Sequence, residues 1–120
     1  MAKLLVHVTC GVNDPTRSTL AFFVSRAGIE EGHTVALFLA GDAVQLLRNA
    51  VLDSLQGLGS GSLREHYDAF VAGGGRIFLS GVSAKSRGMV EADWDGKPVE
   101  LGNPKRLVQL TMEYDRVLCY

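Results

Sequence analysis

Cysteine is scarce in this chain of 120 residues: only Cys10 and Cys119 occur, too few and too far apart for a disulfide framework or a zinc-ligand pair. Charge of one sign is lacking too. Twelve Lys and Arg stand against thirteen Asp and Glu, a formal net charge of -1, and the basic residues are scattered rather than gathered into a stripe with interleaved aromatics. Nucleic acid is therefore excluded as the expected partner. No apolar run approaches the length of a membrane span, and Met1-Ala2-Lys3 leads into a strand-like segment without the apolar core of a signal peptide. No membrane contact is expected, and the expected location is cytoplasmic. His7, His33 and His66 fall on separate segments without metal-ligand spacing; their expected places are packing, a surface turn and an exposed helix face. The stretch Gly57-Leu58-Gly59-Ser60-Gly61 follows a helix-like segment rather than a strand and lacks the Gly-Lys-Ser/Thr ending of a phosphate loop, so neither a P-loop nor a dinucleotide fingerprint is present. No metal and no cofactor are implied.

What is present is a hydrophobic fraction of 47%, which suits one compact domain, residues 1–120, able to bury a core. Leu4 to Thr9 is a β-branched-rich strand signal, and Gly11-Val12-Asn13-Asp14-Pro15 turns the chain at once. Asp14 then Pro15 marks a helix start, and the spacing of Leu20, Phe23, Val24 and Ala27 predicts a helix over roughly Thr16 to Glu31 with those residues facing inward. Thr34 to Leu39 is a near-continuous apolar run, the pattern of a parallel strand covered on both faces, and it ends at Gly41-Asp42. Ala43 to Leu52 reads as one helix with Val44, Leu47 and Val51 on its inner face, and Gly57 to Gly61 as a mobile surface loop. Ser62 caps a helix through Ala72, and Gly73-Gly74-Gly75 turns it into a strand from Arg76. Beyond Gly88, a polar turn over Asp93 to Pro98 precedes a short strand, Val99 to Leu101. A helix restarts at Pro104 with Leu107, Leu110 and Tyr114 inward, and Arg116 to Cys119 is a terminal strand. Strands separated by helices predict an α/β fold, a three-layer α/β/α sandwich around a mostly parallel sheet, because parallel neighbours need crossovers and both faces need cover.

The most informative run is Arg76 to Gly88, a buried-looking strand that stops at Ser80 and turns into a short helix closed by Arg87-Gly88. In open parallel sheets, ligands collect where strands end and the next helix begins. This run resembles the DsrE/DsrF-like family of small sulfur-relay proteins. So do the Asp14-Pro15 turn, the Gly41-Asp42 strand end, the glycine turn before Arg76 and the tail pattern Val99-Glu100-Leu101 through Asp115-Arg116-Val117-Leu118. The resemblance covers most of the chain. It implies a sheet of about five strands, cytoplasmic sulfur transfer as in characterised members, and assembly into homo-oligomers, trimers or hexamers. In that family the strand usually runs into a cysteine that carries sulfur as a persulfide. Ser80 stands in its place here. Persulfide carriage needs a thiolate sulfur, which serine lacks, and no Gly-x-Ser-x-Gly elbow surrounds Ser80 to make it a nucleophile.

Cys10 closes the first strand on the same expected rim. It is either a displaced reactive thiol beside a helix start, with Arg17 near it, or a small buried residue at a strand end. Asn13, Asp14, Asp42, Ser80, Ser83 and Arg87 form a polar set expected at one sheet edge, able to hold a small polar or anionic ligand with Arg87 as counter-charge. Asp14 and Ser83 are equally helix caps, and Arg87 equally a structural bridge. Trp94 and Met89, in a polar region, suggest apolar surface offered to a second subunit. The leading reading is a non-enzymatic or vestigial DsrE-like protein that binds a small ligand or a relay partner protein at the Ser80 and Cys10 rim. The rival is a sulfurtransferase with Cys10 as catalytic persulfide acceptor. A third reading is a flavodoxin-like domain for a flavin or nucleotide, disfavoured by the missing phosphate loop.

Overall fold

The apolar runs of the sequence become one five-stranded sheet in the computed structural model, which describes residues 1–120. The strands are β1 (Lys3–Val8), β2 (Thr34–Leu39), β5 (Arg76–Ser80), β6 (Val99–Gly102) and β7 (Arg116–Cys119). They lie in the order β6-β5-β2-β1-β7, and every pairing is parallel. Parallel pairing forces a crossover after each strand, supplied by α1 (Pro15–Glu30), α2 (Asn49–Ser54), α3 (Leu63–Ala72), α4 (Gly81–Ser86) and α5 (Pro104–Glu113). The expected α/β architecture is the observed one.

The two faces of the sheet are unequal. Val6, Val8, Val35, Leu37, Leu39, Ile77 and Leu79 point into a cluster of 19 buried residues shared with the helices on that side. The alternate residues Leu5, Ala36, Phe38 and Phe78 form a smaller cluster of six buried residues with Leu110 and Tyr114 of α5 and its flank. Here the expected inner face of α5 is correct, with Leu107 half-buried beside Leu110 and Tyr114. Asn103 caps this helix by accepting from the Arg106 N–H at 2.8 Å, and Pro104 takes its first position.

Several local expectations need correction. The buried face of α1 is Ser18, Ala21, Phe22 and Ser25, while Leu20 and Phe23 turn outward. Small residues let α1 lie close on the sheet: a Cβ added at Gly28 would come within 2.9 Å of the Val35 side chain. The apolar count therefore picked the wrong stripe. The expected helix Ala43 to Leu52 is instead a 3-10 segment, Gly41–Leu47, and then α2, separated at Arg48, whose backbone is extended. Burying Ala43, Val44, Leu46 and Leu47 together suits the tighter segment. The extended Arg48 sends its guanidinium to Asp93 at 3.1 Å and to the Arg87 carbonyl at 3.3 Å. Met89 is buried, so it does not offer the apolar surface expected of it, and Trp94 is half-buried against the large cluster.

The glycine stretch is not a free loop. It closes a small antiparallel hairpin, β3 (Gln56–Gly57) with β4 (Gly61–Ser62), docked on α1. The Ser60 hydroxyl donates to Thr19 Oγ1, whose own hydrogen returns to the Pro15 carbonyl at 3.0 Å, and the Leu58 N–H donates to Thr16 Oγ1 at 3.0 Å. His66, expected on an exposed face, is buried beneath the hairpin and stacks on Phe23 with ring centroids 4.3 Å apart. Its Nε2 must carry the hydrogen, because it donates to the Ser60 carbonyl at 2.6 Å, while Nδ1 accepts from Arg26 at 3.4 Å.

Two stability predictions follow from this packing. A Cβ at Gly57 would overlap the Ser60 and Thr19 hydroxyls, so Gly57→Ala must displace them and break the hydrogen bond that ties the hairpin to α1. Urea denaturation should report a loss of about 1–3 kcal/mol. His7, packed edge-on against Phe38, has a buried Nε2 without a hydrogen-bond partner, and burial holds its pKa below the ordinary value. The unfolded chain thus takes up this proton before the folded one does. Stability due to neutral His7 is complete above about pH 6.5 and is lost as pH falls toward the lowered folded value. His7→Leu should flatten the fall in melting temperature between about pH 6.5 and 5 relative to the parent.

Candidate functional site

Parallel pairing sets the C-terminal ends of the strands along one edge. Val8 pairs with Leu39, Leu39 with Leu79, and Ser80 with Gly102, so the turns after β1, β2, β5 and β6 share one rim. The first two of these turns touch. A Cβ at Gly11 would run into the Asp42 carbonyl oxygen, so only glycine permits this approach of backbone to backbone.

Asp42, Ser83 and Arg87 form a linked set across the second and third turns. The Gly41 N–H donates to Ser83 Oγ at 2.9 Å, and Arg87 Nε donates to Asp42 Oδ1 at 3.0 Å. Arg87 Nη1 also donates to the Ser83 carbonyl at 3.2 Å and lies 3.1 Å from Ser86 Oγ. Arg87 is therefore already matched in charge, in a partly exposed pair with Asp42. Ser80 is 8% exposed and its hydroxyl caps α4, accepting from the Ser83 N–H at 3.3 Å.

Asn13 and Asp14 belong to the first turn and make no side-chain hydrogen bond to that set. Asn13 Oδ1 accepts from the Gly11 N–H at 2.9 Å, and Asp14 Oδ1 caps α1 by accepting from the Arg17 N–H at 3.2 Å. Cys10 is half-buried against the large core cluster. The Ser18 hydroxyl, which donates to the Gly11 carbonyl at 2.7 Å, lies 3.5 Å from its sulfur. Both cysteines are free thiols, and Cys119 is exposed on the edge strand β7. Nowhere do three His, Cys, Asp or Glu side chains converge as metal ligands, and no helix is long and apolar enough to cross a membrane.

A groove beside this rim involves residues that the sequence reading did not single out. Where β6 enters α5, a groove of about 480 Å³ is lined by Leu101, Gly102, Asn103, Lys105, Arg106 and Gln109. A second groove of about 330 Å³, around Arg76, Lys97 and Glu100, opens at the opposite edge where β5 and β6 begin. The signal for the first was available in the sequence, as two adjacent cations just after a strand end and the Gly102-Asn103-Pro104 helix start.

Three solved structures share the architecture over nearly their whole length. The ychN protein of E. coli is 23% identical with a TM-score of 0.79, each chain covered in full. MTH1491 of Methanobacterium thermoautotrophicum, described as a protein of unknown function, is 15% identical with a TM-score of 0.75, again with full coverage of both. BT1422 of Bacteroides thetaiotaomicron, likewise of unknown function, is 12% identical with a TM-score of 0.73, covering 99% of this chain and 95% of its own. At these identities the likeness speaks for the fold. No curated protein matches the chain at a significant level. Residues 2–120 match the sequence pattern of one family from end to end, and the chain belongs to the DsrE/DsrF-like family.

Proposed function

We propose that this protein is a non-enzymatic, homo-oligomeric member of its family that binds a small ligand or a partner protein at the C-terminal rim, in a reducing compartment such as the cytoplasm. One observation carries the reading. The strand end that bears the sulfur-carrying cysteine in the family pattern bears Ser80 here, and its hydroxyl is committed to capping α4. A capping hydroxyl has no sulfur to accept or release. Asp42, Ser83 and Arg87, tied to one another, with Ser80 behind them and Asn13 and Asp14 shaping the neighbouring turn, make a preorganised polar surface suited to reversible contact. The two unpaired cysteines are consistent with a reducing environment.

The rival, sulfur transfer by Cys10, has the support that a thiol does reach this rim. Its half-burial against the core opposes it. Incubation of the wild type, Cys10→Ser and Cys119→Ser proteins with a persulfide donor, followed by intact-mass measurement, separates the two. We expect no added sulfur on Cys10 and slow alkylation of it compared with Cys119. A stable mass increase of one sulfur that disappears in Cys10→Ser overturns the non-enzymatic reading.

A second copy of the chain is the partner we assign to the α5 and β7 flank. Val108 and Met112 are 57% and 80% exposed on α5, and all four residues of β7 are exposed with their outer main-chain groups unpaired. The family resemblance favours a trimer or hexamer. Light scattering at micromolar concentration should give a mass above the monomer, reduced by Met112→Lys; a monomer throughout would remove the oligomer from the proposal.

A further inference from the structure

The groove between β6 and α5 holds two cations that no carboxylate of the protein pairs at contact distance. Its charged lining residues are Lys105 and Arg106, and neither takes part in any of the protein's ion pairs. The contrast with Arg76 is instructive. Arg76 and Arg106 both lie over the Phe78 ring, at 4.9 and 5.3 Å from its centroid, yet Arg76 is matched by Glu100 at 3.2 Å and Arg106 by no carboxylate. Glu113, the acidic residue at the far end of α5, is taken by Lys3 at 2.7 Å. The groove at the opposite edge has mixed charge, with Glu100 among its lining and Lys97 donating to the Asp93 carbonyl at 3.2 Å.

Position and shape add to the charge. Gly102 pairs with Ser80, so the groove adjoins the rim, and its volume falls within the roughly 300–1,000 Å³ of small-molecule sites. The Phe78 ring restricts the Arg106 guanidinium, which lowers the ordering cost of a contact with a ligand. The Asn103 side-chain oxygen is used by the Arg106 N–H, and its NH2 group remains able to donate.

We propose that this groove binds a small phosphorylated metabolite: Arg106 takes two oxygens of the dianionic phosphate as a fork, Lys105 adds a point charge, and Asn103, Gln109 and Leu101 face the uncharged remainder. The fork geometry of guanidinium matches a phosphate better than the single ammonium of lysine does, so Arg106 dominates. The inference rests on the rim-binding reading above and gives it a ligand class.

Titration calorimetry of the full chain with inorganic phosphate and with ribose 5-phosphate, at low ionic strength, tests it. Both probes should saturate, the sugar phosphate more tightly, and affinity should fall as salt is raised. Arg106→Gln should weaken binding by about tenfold or more and Lys105→Gln by a few-fold, while Lys85→Gln, an exposed cation outside the groove, should leave it unchanged. If Arg106→Gln does not fold, Lys105→Gln and amide shift mapping on the wild type carry the test, with shifts expected from Gly102 to Gln109. No saturable binding of either probe, or wild-type affinity in both groove variants, overturns the proposal. Shifts confined to Gly41, Ser83 and Arg87 overturn the groove and leave the rim reading standing. Sulfur accepted by Cys10 overturns the non-enzymatic reading and leaves the groove standing.

Discussion

Parallel pairing of β1, β2 and β5 is the constraint on which the rest of the molecule depends. These strands are buried on both faces, so their hydrogen-bond ladders exclude water and their side chains must be apolar at nearly every position. A parallel ladder cannot be closed by a tight turn, and each strand must leave the sheet and return through a helix. Cys10, Gly41, Ser80 and Gly102 thereby come to one edge, although they are spread across most of the chain. The short contacts of the rim, Gly11 on Asp42, Gly41 to Ser83 and Asp42 to Arg87, are local consequences of that alignment.

The unequal cover of the two faces sets where the protein is firm and where it is open. One face buries its side chains in the 19-residue cluster and carries the docked hairpin; the other relies on one ten-residue helix. Large clusters resist local opening, and thinly covered regions open at lower cost. The β7 edge and the outer side of α5 therefore present both exposed apolar residues and free main-chain groups, the combination that invites another chain. His7, with its unpartnered nitrogen, lies beneath this thinner cover and couples it to pH.

The fold was legible in the sequence because its signals are redundant: apolar runs of strand length, Asp14-Pro15 and Asn103-Pro104 at helix starts, and glycine at helix ends all agree. What escaped was tertiary in origin. The inner face of α1 is built from serine and alanine because it lies close on the sheet, and no hydrophobic count finds such a face. Ser60 and Thr19 meet across 41 positions of sequence, so a glycine-rich segment that reads as free is held by a partner invisible to local pattern. At the rim, strand ends were readable and hydrogen-bond partners were not. The positions of Ser80, Ser83, Asp42 and Arg87 follow from topology, whereas the commitment of Arg87 to Asp42, and the lack of any such partner for Arg106, are facts of three-dimensional charge placement.

A hydroxyl at Ser80, where the family resemblance implies a thiol, bears on structure as well as chemistry. Helix α4 has six residues, too short to persist through its own hydrogen bonds, and a serine cap contributes about 0.5–2 kcal/mol where it is most needed. A thiol accepts hydrogen bonds weakly and would leave the Ser83 N–H poorly served. With serine the helix start is capped, Ser83 is fixed to receive Gly41, and Arg87 at the other end of α4 is fixed on Asp42. A group that must take up and hand on sulfur needs an exposed, ionisable atom; a group that shapes a surface needs the reverse, a buried and hydrogen-bonded one. Ser80 has the second set of properties. Lys105 and Arg106, one strand away, enter none of the protein's ion pairs, and the noncovalent anionic ligand proposed for them is in keeping with a strand end that offers a capping hydroxyl in place of a thiol.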